Sequence, residues 1–226
     1  IVEKLSEYAI INKINKIRLV QPPIIYYNHF SQYMDFAYKK EKYYYVKREL
    51  SSFLVLERTV SENLSRFKST HRTAVRKAEN TGLNVKVSND FETFYSILQN
   101  NLSIRHNVTP THTLAELKHL KKIFPDKIYL FGAYKNNKMI AGVINFVINK
   151  KVVLVFYISH MKKFQDIRPI NLLIYKIFEW SIAEGYNVFD FGIFTVNEKP
   201  NMGLARFKEN FGASGIFRDT VELKLS

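Results

Sequence analysis

Three runs of strand-forming residues, Lys127 to Tyr134, Met139 to Ile148 and Val152 to Ser159, follow one another with only short turns between them, at Asn136-Asn137 and Asn149-Lys150. Asparagine tolerates the backbone conformations of tight hairpin turns, so the three runs are predicted to form an antiparallel meander. The next segment, Arg168 to Glu184, has Pro169 in its first turn and Gly185 as its stop. It places Ile170, Leu173, Ile174, Ile177, Phe178, Ser181 and Ile182 on one stripe, the pattern of a helix that covers a sheet. A strand, Val188 to Phe191, comes directly after it. A chain built on this core is mixed α/β (α+β in the looser sense), with a mostly antiparallel sheet flanked by helices.

The flanking segments extend that reading. Leu64, Phe67, His71, Ala74, Val75 and Ala78 recur at helical spacing, which predicts a helix over roughly 62–80, ended at Thr81-Gly82. Leu83 to Val87 alternates as a strand, and Phe91 to Leu102 and Leu114 to Phe124 read as helices, the second stopped by Pro125. A short helix, Gly203 to Asn210, and a last strand, Ile216 to Leu225, close the order. Residues 1–60 are rich in Tyr, Phe and Lys without one clean period; Tyr43 to Val46 and Phe53 to Leu56 read as short strands, and Pro22-Pro23 punctuates the region. The expected division is a partial or degenerate N-terminal subdomain over 1–60 and the main domain over 61–226.

Charge and composition narrow the chemistry. The 34 Lys and Arg residues against 20 acids leave a formal charge of +14, so the surface attracts anions: nucleic acid, nucleotide-linked sugars, coenzyme A or anionic lipid. The chain has no cysteine, which removes thiolate nucleophiles, sulfur-based zinc sites and disulfides. The six histidines show no metal-ligand spacing. No run approaches the roughly 18 uninterrupted apolar residues of a membrane span, and the opening IVEKLSEYAI carries acids where a signal peptide carries bases. The expected location is the cytoplasm.

Four motifs carry a resemblance to a known family: the basic helix HRTAVRKAENTGLNV (71–85), KMIAGVINFV (138–147), RPINLLIYKIFEWSIAEGYNVFDFG (168–192) and NMGLARFKENFGA (201–213). With the order of elements, they make residues 60–226 resemble the GNAT acyltransferase superfamily, in the FemAB-like branch that includes peptidoglycan-bridge aminoacyltransferases. The resemblance implies an N-acyltransferase. It implies transfer of an acyl or aminoacyl group, from acyl-CoA or aminoacyl-tRNA, to an amino group of a cell-envelope precursor, a nucleotide-linked amine or an amino sugar. Such chemistry requires no serine or cysteine nucleophile, and the chain has no Gly-x-Ser-x-Gly elbow.

Two residues are the catalytic candidates. Asp190, in FDFG after the long helix, either positions or deprotonates the amine, or caps a loop and pairs with a structural cation. Lys208, in LARFKENFG with Arg206, lies where the resemblance associates a lysine with the substrate site; the alternative is an exposed helix face. Donor-binding candidates begin with Lys68, Arg72 and Arg76, four residues apart on one helix face and able to track phosphates. In family members that use acyl-CoA, a glycine-containing loop before the long helix cradles the pyrophosphate with backbone amides. Here that loop reads HMKKFQDIRPIN, without glycine, so Lys162, Lys163 and Arg168, with Asn171, are expected to replace the cradle by side chains. A second class of function stays open: a non-catalytic module that grips RNA with Lys68, Arg72 and Arg76.

Overall fold

The run MIAGVINFV is apolar at nearly every position, which in a strand means burial on both faces rather than one. The computed structural model of the chain describes residues 1–106 and 109–225 and places this run at the centre of a three-layer α/β/α arrangement. In chain order the elements are α1 (Val2–Ile11), β1 (Lys16–Val20), α2 (Tyr33–Lys40), β2 (Tyr44–Val55), α3 (Val60–Arg66), α4 (Ser69–Glu79), β3 (Asn84–Ser88), α5 (Phe91–His106) and α6 (Leu114–Ile123). They continue as β4 (Ile128–Lys135), β5 (Lys138–Val147), β6 (Val152–His160), α7 (Pro169–Ala183), β7 (Val188–Ile193), β8 (Thr195–Val196), β9 (Lys199–Pro200), α8 (Met202–Glu209) and β10 (Ser214–Lys224). Single 3₁₀ segments lie at Ile24–Tyr26 and Lys162–Ile167.

The main sheet runs β1-β10-β2-β7-β6-β5-β4-β3. All its ladders are antiparallel except β6–β7, which the α7 crossover makes parallel. On one face α7 packs with α3 and α4 over Ala141, Val143, Val153, Phe189 and Phe191. On the other, α5 and α6 cover Leu130, Met139 and Ile144. The predicted meander is present, and its first turn is a two-residue hairpin with Asn136 and Asn137 both at positive φ, 49° and 60°.

Three elements differ from the sequence expectation. The single helix over 62–80 is two, α3 and α4, broken at Phe67. That side chain is 1% exposed and packs edge-on against Phe178 and Phe211, so the backbone leaves helical geometry to deliver it to the core. The two short strands of the N-terminal region are one twelve-residue strand, β2, whose polar residues Arg48, Glu49, Ser51 and Ser52 hid its continuity. Pairing of β2 with both β10 and β7 makes residues 1–60 part of the same sheet as the rest. The hairpin β8–β9 had no apolar signal; it is held by the buried Glu49 carboxylate, which accepts the Asn197 and Glu198 amides and the Thr195 hydroxyl.

Candidate active site

The site begins where β6 and β7 part. Their ladder covers only Val152↔Val188 to Leu154↔Asp190, after which β6 runs on to His160 without its neighbour. The cause lies in β7. Gly192 adopts φ 73°, a left-handed conformation natural to glycine, and the β2–β7 register shifts between Ser51 and Phe53. Two charged residues clamp this irregular stretch. Asp190 accepts the Gly192 amide at 2.7 Å, and Lys208 Nζ donates to the Gly192 and Ile193 carbonyls at 2.7 and 2.8 Å.

Asp190 is fully buried and its carboxylate has four donors: the Gly192 amide, the Ser51 hydroxyl, the Tyr26 hydroxyl and the Arg218 guanidinium, the last at 2.8 Å. Lys208 is 2% exposed. Burial pulls its pKa down to about 8, with the nearby Asp190 charge opposing the shift. Neither side chain lines a cavity among those described below.

The cleft opened by the splay holds about 590 Å³. Its walls are α5 through Leu98 and Asn101, the end of β6 through Ile158 to His160, the head of α7 through Arg168 to Asn171, and α8 through Leu204 and Phe207. A contiguous cavity of about 460 Å³ lies between α4 and the α7 head, lined by Ser69, Thr73 and Lys77 and sharing His71, Arg168 and Asn171 with the cleft. A third, of about 820 Å³, lies on the far side of His160, with Lys138, Lys162 and Lys163 at its rim. The first two cavities meet at the α7 head, the third shares Asn101 and His160 with the cleft, and exposed cations line all three.

The α7 head departs from an amide cradle. Pro169 has no N–H, the Arg168 amide donates to Gln165 O, and the Asn171 amide donates to Arg168 O. Arg168 itself stands at φ 54°, ψ 45°, a strained region for a side-chain-bearing residue. Two polar groups at the junction lack partners. Asn171 is 7% exposed and its Nδ2 makes no hydrogen bond; His71 Nε2 is likewise buried and unpaired. Burial holds the His71 pKa below the usual histidine value, with the Arg168 and Lys68 charges acting in the same direction, so its imidazole is neutral near pH 7.

Of the residues expected from sequence, Arg168 and Asn171 come together at the cleft, and Lys162 and Lys163 line the third cavity beyond His160. Lys68, Arg76 and Arg206 are exposed and line none of these cavities. Arg72 turns back to the Phe67 and Ser65 carbonyls, closing the open end of α3. His71, Lys77, Asn101, His160 and Phe207 were not singled out from sequence. His71 alone had a signal, a histidine within the apolar stripe of its helix. Among the described residues no group of three or more His, Cys, Asp or Glu could hold a metal ion, and no helix is long and apolar enough to cross a membrane.

A meander, a crossover helix returning a parallel strand, and a splay at that helix's head define a GNAT-type acyltransferase. The family model for the acetyltransferase (GNAT) domain matches residues 65–209, more than half of the chain. The chain belongs to this family and is an acyltransferase. FemX has the same fold, with a TM-score of 0.80 at 13% identity over 99% of this chain and 75% of FemX. The C-terminal domain (DUF2156) of a putative lysylphosphatidylglycerol synthetase from Agrobacterium fabrum follows with 0.66 at 13% identity, covering 98% of this chain and 71% of that one. A tandem GNAT protein from the clavulanic acid biosynthesis pathway, described without AcCoA, scores 0.52 at 9% identity, with 98% and 67% covered. No curated protein matches the sequence.

Proposed function

We propose that the chain transfers an acyl or aminoacyl group from a polyanionic donor, acyl-CoA or aminoacyl-tRNA, to the amino group of a cell-envelope precursor or amino sugar. The observation that carries this reading is the cleft at the β6–β7 splay, floored by unpaired polar groups, with Arg168 in its wall and lysines lining the two adjoining cavities. The donor's phosphates would sit against Arg168, Lys77, Lys162 and Lys163, with Lys68, Arg76 and Arg206 supplying long-range attraction. Because Pro169 has no N–H and the Arg168 and Asn171 amides are already engaged, the arrangement favours a tRNA-borne donor over coenzyme A. A fold like that of FemX and of a putative lysylphosphatidylglycerol synthetase is in keeping with this.

In the cleft the amine attacks the donor's carbonyl carbon, the tetrahedral oxyanion collapses, and the thiol of coenzyme A or the 3′ hydroxyl of tRNA leaves. Asn171 Nδ2, buried at the cleft wall without a partner, would donate to the oxyanion. His71, held neutral, would take the proton the amine loses and pass it to the departing sulfur or oxygen. Asp190 and Lys208 serve as positioning residues: one takes the amide of Gly192, the other its carbonyl, and together they keep the cleft open. Residues 1–60 act as the partial N-terminal subdomain, reaching this machinery through Tyr26 and Ser51.

The test is transfer to an amino-sugar or peptidoglycan-precursor acceptor, with labelled aminoacyl-tRNA and labelled acetyl-CoA offered separately, in the wild type and in His71→Gln and Asn171→Ala. The expected result is transfer, each variant lowering kcat about 100-fold while thermal stability holds. RNA retained without transfer from either donor would instead support a non-catalytic RNA-gripping module.

A further inference from the structure

At the other end of the sheet, over β10 and β2, lies a groove of about 770 Å³. It is separated from the acyl-transfer cleft by the β2 and β7 strands. Aromatic rings make its walls: Tyr27 before α2, Phe36 and Tyr38 from α2, Tyr45 from β2 and Phe217 from β10. Phe36 is 70% exposed, Tyr45 50% and Phe217 47%, far more than large rings usually show when no partner covers them.

The floor is polar and rigid. Arg48 makes a two-pronged ion pair with Asp219, at 2.9 and 3.0 Å, and its guanidinium lies 4.6 Å from the Tyr45 ring centre and 4.0 Å from that of Phe217. Gln21 and Tyr43 also line the groove, each only 8% exposed, and Gln21 Nε2 and Tyr43 Oη have no hydrogen-bond partner. A buried donor left unpaired is costly, and two at one groove point to a ligand that supplies acceptors.

The charge balance says which kind of ligand. Lys39 and Arg48 are matched by Asp35 and Asp219, so the groove's four charged residues sum to zero in a chain of formal charge +14. The cavities around the α7 head carry an excess of cations; this one does not, so it has no electrostatic preference for phosphates. Flat apolar rings beside planar amide, carboxylate and guanidinium groups match a molecule with C–H faces and a rim of hydroxyls. We propose that this groove is a saccharide-binding site, taking a neutral sugar ring stacked on Phe36 and Tyr45, with hydroxyls reaching Gln21, Tyr43 and the Arg48–Asp219 pair. The inference stands apart from the identity of the acyl donor.

The experiment is saturation-transfer NMR on the 226-residue chain with N-acetylglucosamine, chitotriose and maltotriose, in the wild type, Phe36→Ala, Tyr45→Ala and Gln21→Leu. Phe36 and Tyr45 are exposed enough that neither replacement disturbs the core. At least one sugar is expected to receive saturation on its ring protons, and each aromatic replacement should weaken binding roughly threefold to tenfold. Inorganic pyrophosphate should not displace it. The proposal falls if none of the sugars receives saturation at about 10 mM, an affinity limit near the weakest binding of interest. It also falls if the signal survives all three replacements, if pyrophosphate competes, or if the aromatic wall proves to mediate self-association that Phe36→Ala abolishes.

Discussion

Replacing Lys208 with methionine isolates the energetics of the clamp on β7. In the folded chain the Lys208 pKa is pulled down to about 8 from the ordinary 10.5, chiefly by burial. Below about pH 8 both folded and unfolded chains carry the proton, and the folded state bears the whole penalty of the buried charge. Between about pH 8 and about pH 10.5 the unfolded chain binds more protons, so stability rises with pH; above that range both states are neutral and the penalty is gone. The full shift corresponds to about 3 kcal/mol, of which about 2 kcal/mol is recovered between about pH 7 and about pH 9.5. Methionine fills similar space without a charge, but leaves the Gly192 and Ile193 carbonyls without the Nζ donor, a loss of about 1–3 kcal/mol each. Near pH 7 gain and loss oppose, so the variant should lie between about 1 kcal/mol above and about 3 kcal/mol below wild type. The decisive reading is the difference between the two proteins in urea denaturation across this pH range. Wild type should gain about 2 kcal/mol on the variant as pH rises. A difference that stays flat within about 0.5 kcal/mol would refute a charged, burial-penalised Lys208.

Asp190→Asn should destabilise the fold by about 3–5 kcal/mol in denaturant titration, because it leaves the Arg218 guanidinium facing a neutral partner; a loss below about 1 kcal/mol would show that the network is not a structural anchor. Arg168→Gly keeps the φ 54° conformation while removing the charge. It should raise the donor's KM about tenfold with kcat retained and with an unchanged or slightly higher Tm. An unaltered KM would remove Arg168 from the donor site. Gly142→Ala would set a Cβ 2.5 Å from Phe94 Cδ2, and Phe94 is fully buried. Calorimetry should record a loss of about 1–3 kcal/mol; a neutral result would mean that α5 shifts freely over β5.

What sequence made legible follows from periodicity. The meander, β7 and β10 were readable as runs of strand-forming residues bounded by turn signals, and α7 and α8 because a core on one side imposes a period of 3.6 on their apolar residues. The N-terminal region was not readable because its residues answer to other constraints. In β2, Glu49 anchors a hairpin, Ser51 bonds Asp190, and Arg48 pairs across to Asp219, so polar residues stand where alternation would place apolar ones. The same reason blurred the site. Asp190 and Lys208 announce themselves as charged residues in distinctive motifs, yet what distinguishes a residue that touches a substrate from one that shapes the wall is the direction of its side chain. Both point at the backbone of Gly192. The residues that do face the cleft, His71, Asn101, Asn171 and Phe207, come from four helices, and only the packing of α4, α5, α7 and α8 against one splayed pair of strands brings them together. A charge in a motif is therefore evidence of constraint, and here the constraint on the two most conspicuous charges is the gap between β6 and β7 from which the cleft opens.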